Sequence, residues 1–116
     1  MNNILHTSLC DMLGCKYPIV QTAMGWVADA NMVAGTCNAG GFGFLAGAVM
    51  TPAEVEAAIL KTKSLTDKQF GLNFHMFQPG ANEIIEIAIK HRDKVRAVSY
   101  GRGPDKKMIQ RFKDAG

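Results

Sequence analysis

At 116 residues, 47% hydrophobic and 20% charged, the chain has the length and balance of one globular domain with a modest core. Its formal charge is only +3, and the basic residues Lys106, Lys107, Arg111 and Lys113 fit the solvated face of a last helix, so no nucleic-acid surface is expected. No run is long enough to cross a membrane and the N-terminus lacks the order of a signal peptide, so no membrane partner and a cytoplasmic location are expected.

Thr7 to Leu13 reads as a short helix with Thr7 or Ser8 as N-cap and Gly14 as its stop. Tyr17 to Met24, YPIVQTAM, is the first strand, with Pro18 at its start where a missing N–H is tolerated. Asp29 caps a helix running to Asn38, with Ala30, Val33, Ala34 and Cys37 at helical spacing. Phe42 to Ala46 is a second strand, nearly all apolar, as in a parallel sheet buried on both faces. Thr51-Pro52-Ala53-Glu54 opens a helix with an N-cap, a proline at the first position and a capping-box glutamate; Val55, Ala58, Ile59 and Thr62 form its stripe.

Thr66-Asp67-Lys68 is a turn. Phe70 to Phe77 is the third strand, and Gln78-Pro79-Gly80 breaks it. Asn82 caps a helix to Lys90, with Ile84, Ile85, Ala88 and Ile89 facing the core. Val95 to Tyr100 is the fourth strand, Gly101-Arg102-Gly103-Pro104 a turn, and Asp105 to Asp114 the last helix. Strand and helix therefore alternate four times, the pattern of a parallel α/β sheet. The pattern alone does not separate a barrel from a doubly wound sheet.

In parallel α/β folds, ligands gather at the C-terminal ends of strands. That rule selects Gln21, Thr22, Ala23 and Met24 after strand one, Ala46 and Gly47 after strand two, Asn73 and His75 on strand three, and Ser99, Tyr100 and Gly101 on strand four. Asn73 and His75 are two apart and share a face; they need a ligand, or backbone or water partners. No G-x-G-x-x-G follows strand one and no G-x-x-x-x-G-K-[ST] occurs. Gly40-Gly41-Phe42-Gly43 precedes its strand and reads as a tight connection. Gly101-Arg102-Gly103 follows a strand and precedes a helix, but a turn with a surface arginine is preferred over an anion site. Cys10, Cys15 and Cys37 lack a C-x-x-C pair and read as reduced, buried thiols, with no metal site. His6 and His91 have no partner visible in the sequence.

The stretch YPIVQTAMGWVADANMVAGTCNAGGFGFLAG, followed by LTDKQFGLNFHMF, resembles the N-terminal half of the nitronate monooxygenase family, formerly the 2-nitropropane dioxygenases. Flavin-dependent enoyl-ACP reductase II shares this opening. The resemblance runs from about Leu9 to Gly116. It implies the first four β/α units of an FMN-dependent (β/α)8 TIM barrel over residues 1–116. Thr22, Ala23 and Met24 match a place where members commonly show Gly-Gly-Met, and Asn73 matches a flavin-contacting asparagine. These four are the implied cofactor-binding residues. The family's catalytic histidine and phosphate-holding loops belong to the second half of the barrel, so no catalytic residue is assigned here, and His75 does not take that role.

The implied reaction is oxidation of an alkyl nitronate by O₂ to a carbonyl compound and nitrite, with FMN and a small nitronate as partners of a full-length parent. The alternatives are an enoyl-ACP reductase II-like flavin reductase, or a truncated chain without independent activity. Lys113-Asp114-Ala115-Gly116 reads as a helix end between units. A fragment that binds FMN weakly or not at all, and self-associates through exposed sheet edges, is therefore expected.

Overall fold

The computed structural model describes residues 4–103 and 105–116. Four strands, β1 (Val20–Gln21), β2 (Phe42–Ala46), β3 (Phe70–His75) and β4 (Val95–Gly101), form one sheet in the order β1-β2-β3-β4. Every neighbouring pair is parallel. The helices are α1 (Ser8–Leu13), α2 (Ala30–Asn38), α3 (Pro52–Leu65), α4 (Ala81–Lys90) and α5 (Lys106–Asp114). A single 3₁₀ turn, Gly47–Val49, follows β2. A doubly wound sheet reverses its strand order at a switch point, whereas a barrel wall adds each strand beside the last. Here the order never reverses.

The sheet has two unlike faces. On β3, Phe70, Leu72 and Phe74 are fully buried and form the centre of a core with Leu45, Val55, Ile59, Ile84 and Val95. Burying each of these large side chains contributes about 1.5–3 kcal/mol. The opposite face carries Gly71, Asn73 and His75. Gly71 pairs in register with Phe44, and a Cβ at Gly71 would collide with the Phe44 ring. The missing side chain is what lets that ring lie across the strand.

Three helix starts follow from their side chains. Asp29 accepts the Met32 N–H at 3.0 Å, Thr51 Oγ1 the Glu54 N–H at 3.2 Å, and Asp105 the Met108 N–H at 2.9 Å. Thr51 Oγ1 also donates to Glu54 Oε1 at 3.1 Å, in place of the reciprocal bond of a full capping box. Gly14 ends α1 in the left-handed region as expected. Pro104 of the expected turn lies outside the described residues.

Besides β4, which runs one residue further than expected, to Gly101, three boundaries depart from the sequence reading. The first strand is two residues long instead of Tyr17–Met24. Lys16 N and Tyr17 N both bond to Gly40 O, Ile19 N turns back to Tyr17 O, and Met24 O accepts from Val27 N and Ala28 N, so turns use the backbone on either side. The third strand stops at His75 instead of Phe77, because Gln78 Oε1 takes the His75 N–H at 2.7 Å. Asn82 does not cap α4. Gly80, at φ 78, occupies that position and its carbonyl accepts the Ile84 N–H.

Both histidines without a visible partner acquire one. His6 Nε2 lies 2.6 Å from Asp11 Oδ1. His91 is buried between α3 and α4, with Nε2 3.0 Å from Glu56 Oε1 and Nδ1 3.1 Å from Lys63 Nζ. Lys63 can only donate, so Nδ1 carries the lone pair and Nε2–H points to Glu56. Lys90 Nζ adds a 2.6 Å bond to the same Glu56 oxygen.

Two outcomes are expected. Thr51→Ala should destabilise the protein by about 1 kcal/mol in urea unfolding, while Asn82→Ala should stay within about 0.5 kcal/mol. Lys90 and then His91 hold the Glu56 carboxyl below its ordinary range. A depressed folded value means stability that is present above the unfolded carboxylate pKa, about 4.3, and is lost as pH falls through the folded value. Stability measured from pH 6 to 3 should fall less steeply for Glu56→Gln than for the parent chain.

Candidate functional site

The register places Ala46, Asn73 and Ser99 abreast across β2, β3 and β4. His75 and Gly101 form the next pair toward the C-terminal ends of the strands. This open face, away from the helices, is where the fold gathers its polar groups. Asn73 Nδ2 donates to Ser99 Oγ at 2.9 Å and to Ser99 O at 3.3 Å. Those bonds fix which way the amide is turned. Its Oδ1 makes no hydrogen bond among the described residues, so a strand-borne acceptor is left for a ligand.

Thr22, Ala23 and Met24 lie in the irregular segment that follows β1, with Thr22 and Met24 exposed and Ala23 half-buried. They share the C-terminal end of the sheet with Asn73, but β2 stands between. The separation of β1 and β3 is two strand spacings, roughly 10 Å. Gln21 steadies the segment: its Nε2 donates to Thr22 O at 2.6 Å and to Phe44 O at 3.2 Å. Gln21 Oε1 is buried without a partner.

Gln78 is a structural residue of the site that the sequence reading treated only as a strand breaker. Besides ending β3, its Nε2 donates to Gly47 O at 3.0 Å and to Met50 O at 3.2 Å. One amide thus ties the loop after β3 to the loop after β2. The partners are about thirty residues away in the chain, and no local pattern announces them. Gly40-Gly41 is the tight helix-to-strand connection expected, at the opposite end of the sheet; Gly41 N bonds to Thr36 O and Gly40 O receives Lys16 N and Tyr17 N.

Neither Cys15 nor Cys37 is tuned as a nucleophile. Cys10 and Cys37 are buried and Cys15 is half-buried, all free. Burial pushes the Cys37 thiol up, and burial together with Cys10 does the same for Cys15. A reactive cysteine needs the opposite shift. Among the described residues no group of His, Cys, Asp or Glu is arranged to hold a metal ion, and no helix is long and apolar enough to cross a membrane.

The family model described as nitronate monooxygenase matches residues 6–114, nearly the whole chain. The chain belongs to the nitronate monooxygenase family. It is 47% identical over 112 residues to the (3aS,4S,5R,7aS)-5-hydroxy-7a-methyl-1-oxo-octahydro-1H-indene-4-carboxyl-CoA dehydrogenase of Rhodococcus jostii (strain RHA1), covering 97% of this chain and 31% of that protein. It is 36% identical over 72 residues to a nitronate monooxygenase of Paraburkholderia phytofirmans (strain DSM 17436 / LMG 22146 / PsJN), covering 62% of this chain and 20% of that protein. Among solved structures, FabK from Thermotoga maritima superposes with a TM-score of 0.88 at 31% identity, over 96% of this chain and 35% of that one. The chain therefore spans about a third, 31%, of the length of that Rhodococcus protein.

These likenesses establish a family of flavin-dependent oxidoreductases and the fold expected from the sequence, four β/α units of a TIM-barrel wall. In this nitronate monooxygenase family chain, Ser99→Ala should remove the shorter of the two bonds that hold the Asn73 amide, leaving the one to the Ser99 carbonyl. The expected cost is about 1 kcal/mol, read as a lower unfolding midpoint in urea with an unchanged slope.

Proposed function

We propose that this chain forms the FMN-contacting wall of a flavin-dependent oxidoreductase, with Thr22, Ala23, Met24 and Asn73 as the cofactor-binding residues. The observation that carries this reading is the Asn73 amide, whose nitrogen is committed to Ser99 and whose oxygen is free on the open face. The surrounding residues fit a flat, polar-edged ring. Ala23 and Ala46 present little side chain, and Asn73 Oδ1 is an acceptor without a donor among the described residues.

Bound FMN would supply the electron-transfer capacity that the side chains here lack. The protein's own part is placement. Ser99 sets the orientation of Asn73, Gln78 holds the loops after β2 and β3 together, and Gln21 holds the Thr22 carbonyl. The first reading of the reaction is oxidation of alkyl nitronates by O₂ to a carbonyl compound and nitrite, supported by the family model over residues 6–114.

A second reading is favoured by a specific observation. The carboxyl-CoA dehydrogenase of Rhodococcus is 47% identical across 97% of the chain, whereas the nitronate monooxygenase of Paraburkholderia is 36% identical across 62%. That difference supports an acyl thioester as substrate. An enoyl thioester reductase drawing on a nicotinamide cofactor is a related form of it.

The test uses the full-length gene product. Its flavin is identified after denaturation, and it is assayed with propyl-2-nitronate for nitrite release and with acyl-CoA thioesters for flavin-coupled turnover. Stoichiometric FMN with nitrite release supports the first reading. FMN with thioester turnover alone supports the second, and a flavin-free, folded protein defeats both. Asn73→Ala should weaken FMN binding by about tenfold, the equivalent of about 1.4 kcal/mol, as read by quenching of flavin fluorescence.

A further inference from the structure

One side chain at the ligand end takes no part in the site described so far. Of the four arginines, Arg92 donates to Ile89 O, Arg96 to Met12 O and Gln69, and Arg111 pairs with Glu86. Arg102 makes no hydrogen bond or ion pair among the described residues. It sits in the loop after β4 with its backbone at φ 70, a left-handed conformation that side chains rarely adopt. Glycines stand on both sides of it, so the turn already contains residues suited to that conformation. Strained residues of this kind cluster at functional sites.

A second unsatisfied group lies beside it. His75 Nδ1 is buried and has no hydrogen-bond partner. Its ring rests against the bare backbone of Gly101, where a Cβ would come within 3.1 Å of Nδ1. His75 and Arg102 line one hollow of about 210 Å³, together with Phe77 and Gln78. The acid closest in sequence to Arg102, Asp105, has its side chain turned to the Met108 N–H. Phe77 is 77% exposed. The hollow thus combines a cation that is unpaired among the described residues, an imidazole and an apolar ring, and no described acidic side chain lines it.

We propose that this hollow between the loops after β3 and β4 is a substrate-anion pocket, with Arg102 as its charge and His75 as its second polar contact. The shared ligand chemistry is an oxyanion attached to an apolar body. His75 lies one pair further out along the sheet than Asn73, so the pocket fits a part of the substrate remote from the reacting atoms. That favours a phosphate of a thioester's CoA carrier; the anionic head of a small free substrate is the other source. Arg102 and His75 act here as specificity residues. The inference rests on the flavin oxidoreductase reading above.

The experiment compares the full-length gene product with Arg102→Gln, Arg102→Lys and His75→Phe. CoA binding is measured by calorimetry, KM and kcat with propyl-2-nitronate, and the flavin spectrum of every sample is recorded. For a carrier phosphate, Arg102→Gln weakens CoA binding at least tenfold, Arg102→Lys retains part of it, and salt weakens the parent protein more than the variant. For a small substrate, CoA does not bind the parent, and Arg102→Gln raises KM about tenfold while kcat and flavin content hold. His75→Phe follows the same direction with a smaller effect.

CoA affinity and KM both within twofold of the parent in folded Arg102→Gln overturn the proposal, as does a parent that binds neither ligand. CoA binding is read by calorimetry and requires no turnover. A flavin-free preparation therefore defeats the functional reading and still leaves the arginine comparison decisive. Arg102 has no partner to lose among the described residues, and an unchanged melting temperature in Arg102→Gln separates a pocket effect from misfolding.

Discussion

Strand β3 is the constraint on which the rest of this structure depends. It is paired on both edges, by β2 and β4, and its side chains alternate strictly between two environments. Phe70, Leu72 and Phe74 fill the core under the helices, and that burial fixes the register. A slip by one residue would send three large apolar side chains to the open face and Asn73 into the core. The positions of Asn73 and His75 are therefore consequences of where the hydrophobic residues must go. The functional face is held in place by the energy of the other face.

The polar groups are arranged by the same economy of bonds. A parallel sheet satisfies its backbone but leaves side chains on the open face to find their own partners. Asn73 finds Ser99 across one strand gap, and Gln78 reaches back to Gly47 and Met50. His75 Nδ1 finds none, and neither does Gln21 Oε1 on the helix side, beside Gly43 and Val33. Unmet buried atoms are rare in folded proteins, and both lie on residues at the strands' C-terminal ends. The helix-facing side has its own polar seam, in which His91 bridges Glu56 and Lys63 and couples α3 to α4.

Membership of the nitronate monooxygenase family and the barrel-wall topology describe a scaffold, and a scaffold does not name a substrate. The chain is 47% identical to a carboxyl-CoA dehydrogenase over 97% of its length and 36% identical to a nitronate monooxygenase over 62%. What differs among such enzymes must reside largely in the loops at the strand ends. In this chain those loops carry an exposed Trp26 after β1, an exposed Phe77 after β3 and Arg102 after β4, with Trp26 and Arg102 both at positive φ.

The sequence by itself determined the alternation of four strands with helices, the caps at Asp29 and Thr51, the apolar character of β2, and the placing of Asn73 and His75 on one face. These features are legible because they rest on periodicity and on contacts between residues three or four apart. Motif likeness added the family. Tertiary structure alone decided the shrinkage of the first strand to Val20–Gln21, the loss of the Asn82 cap to Gly80, the Gln78 clamp and the meeting of His75 with Arg102. It also separated a barrel wall from a doubly wound sheet, through the strand order. Each of these depends on groups distant in the chain competing for the same backbone donor, acceptor or space. A local pattern states which partners a residue prefers. Only the packed fold determines which of them are within reach.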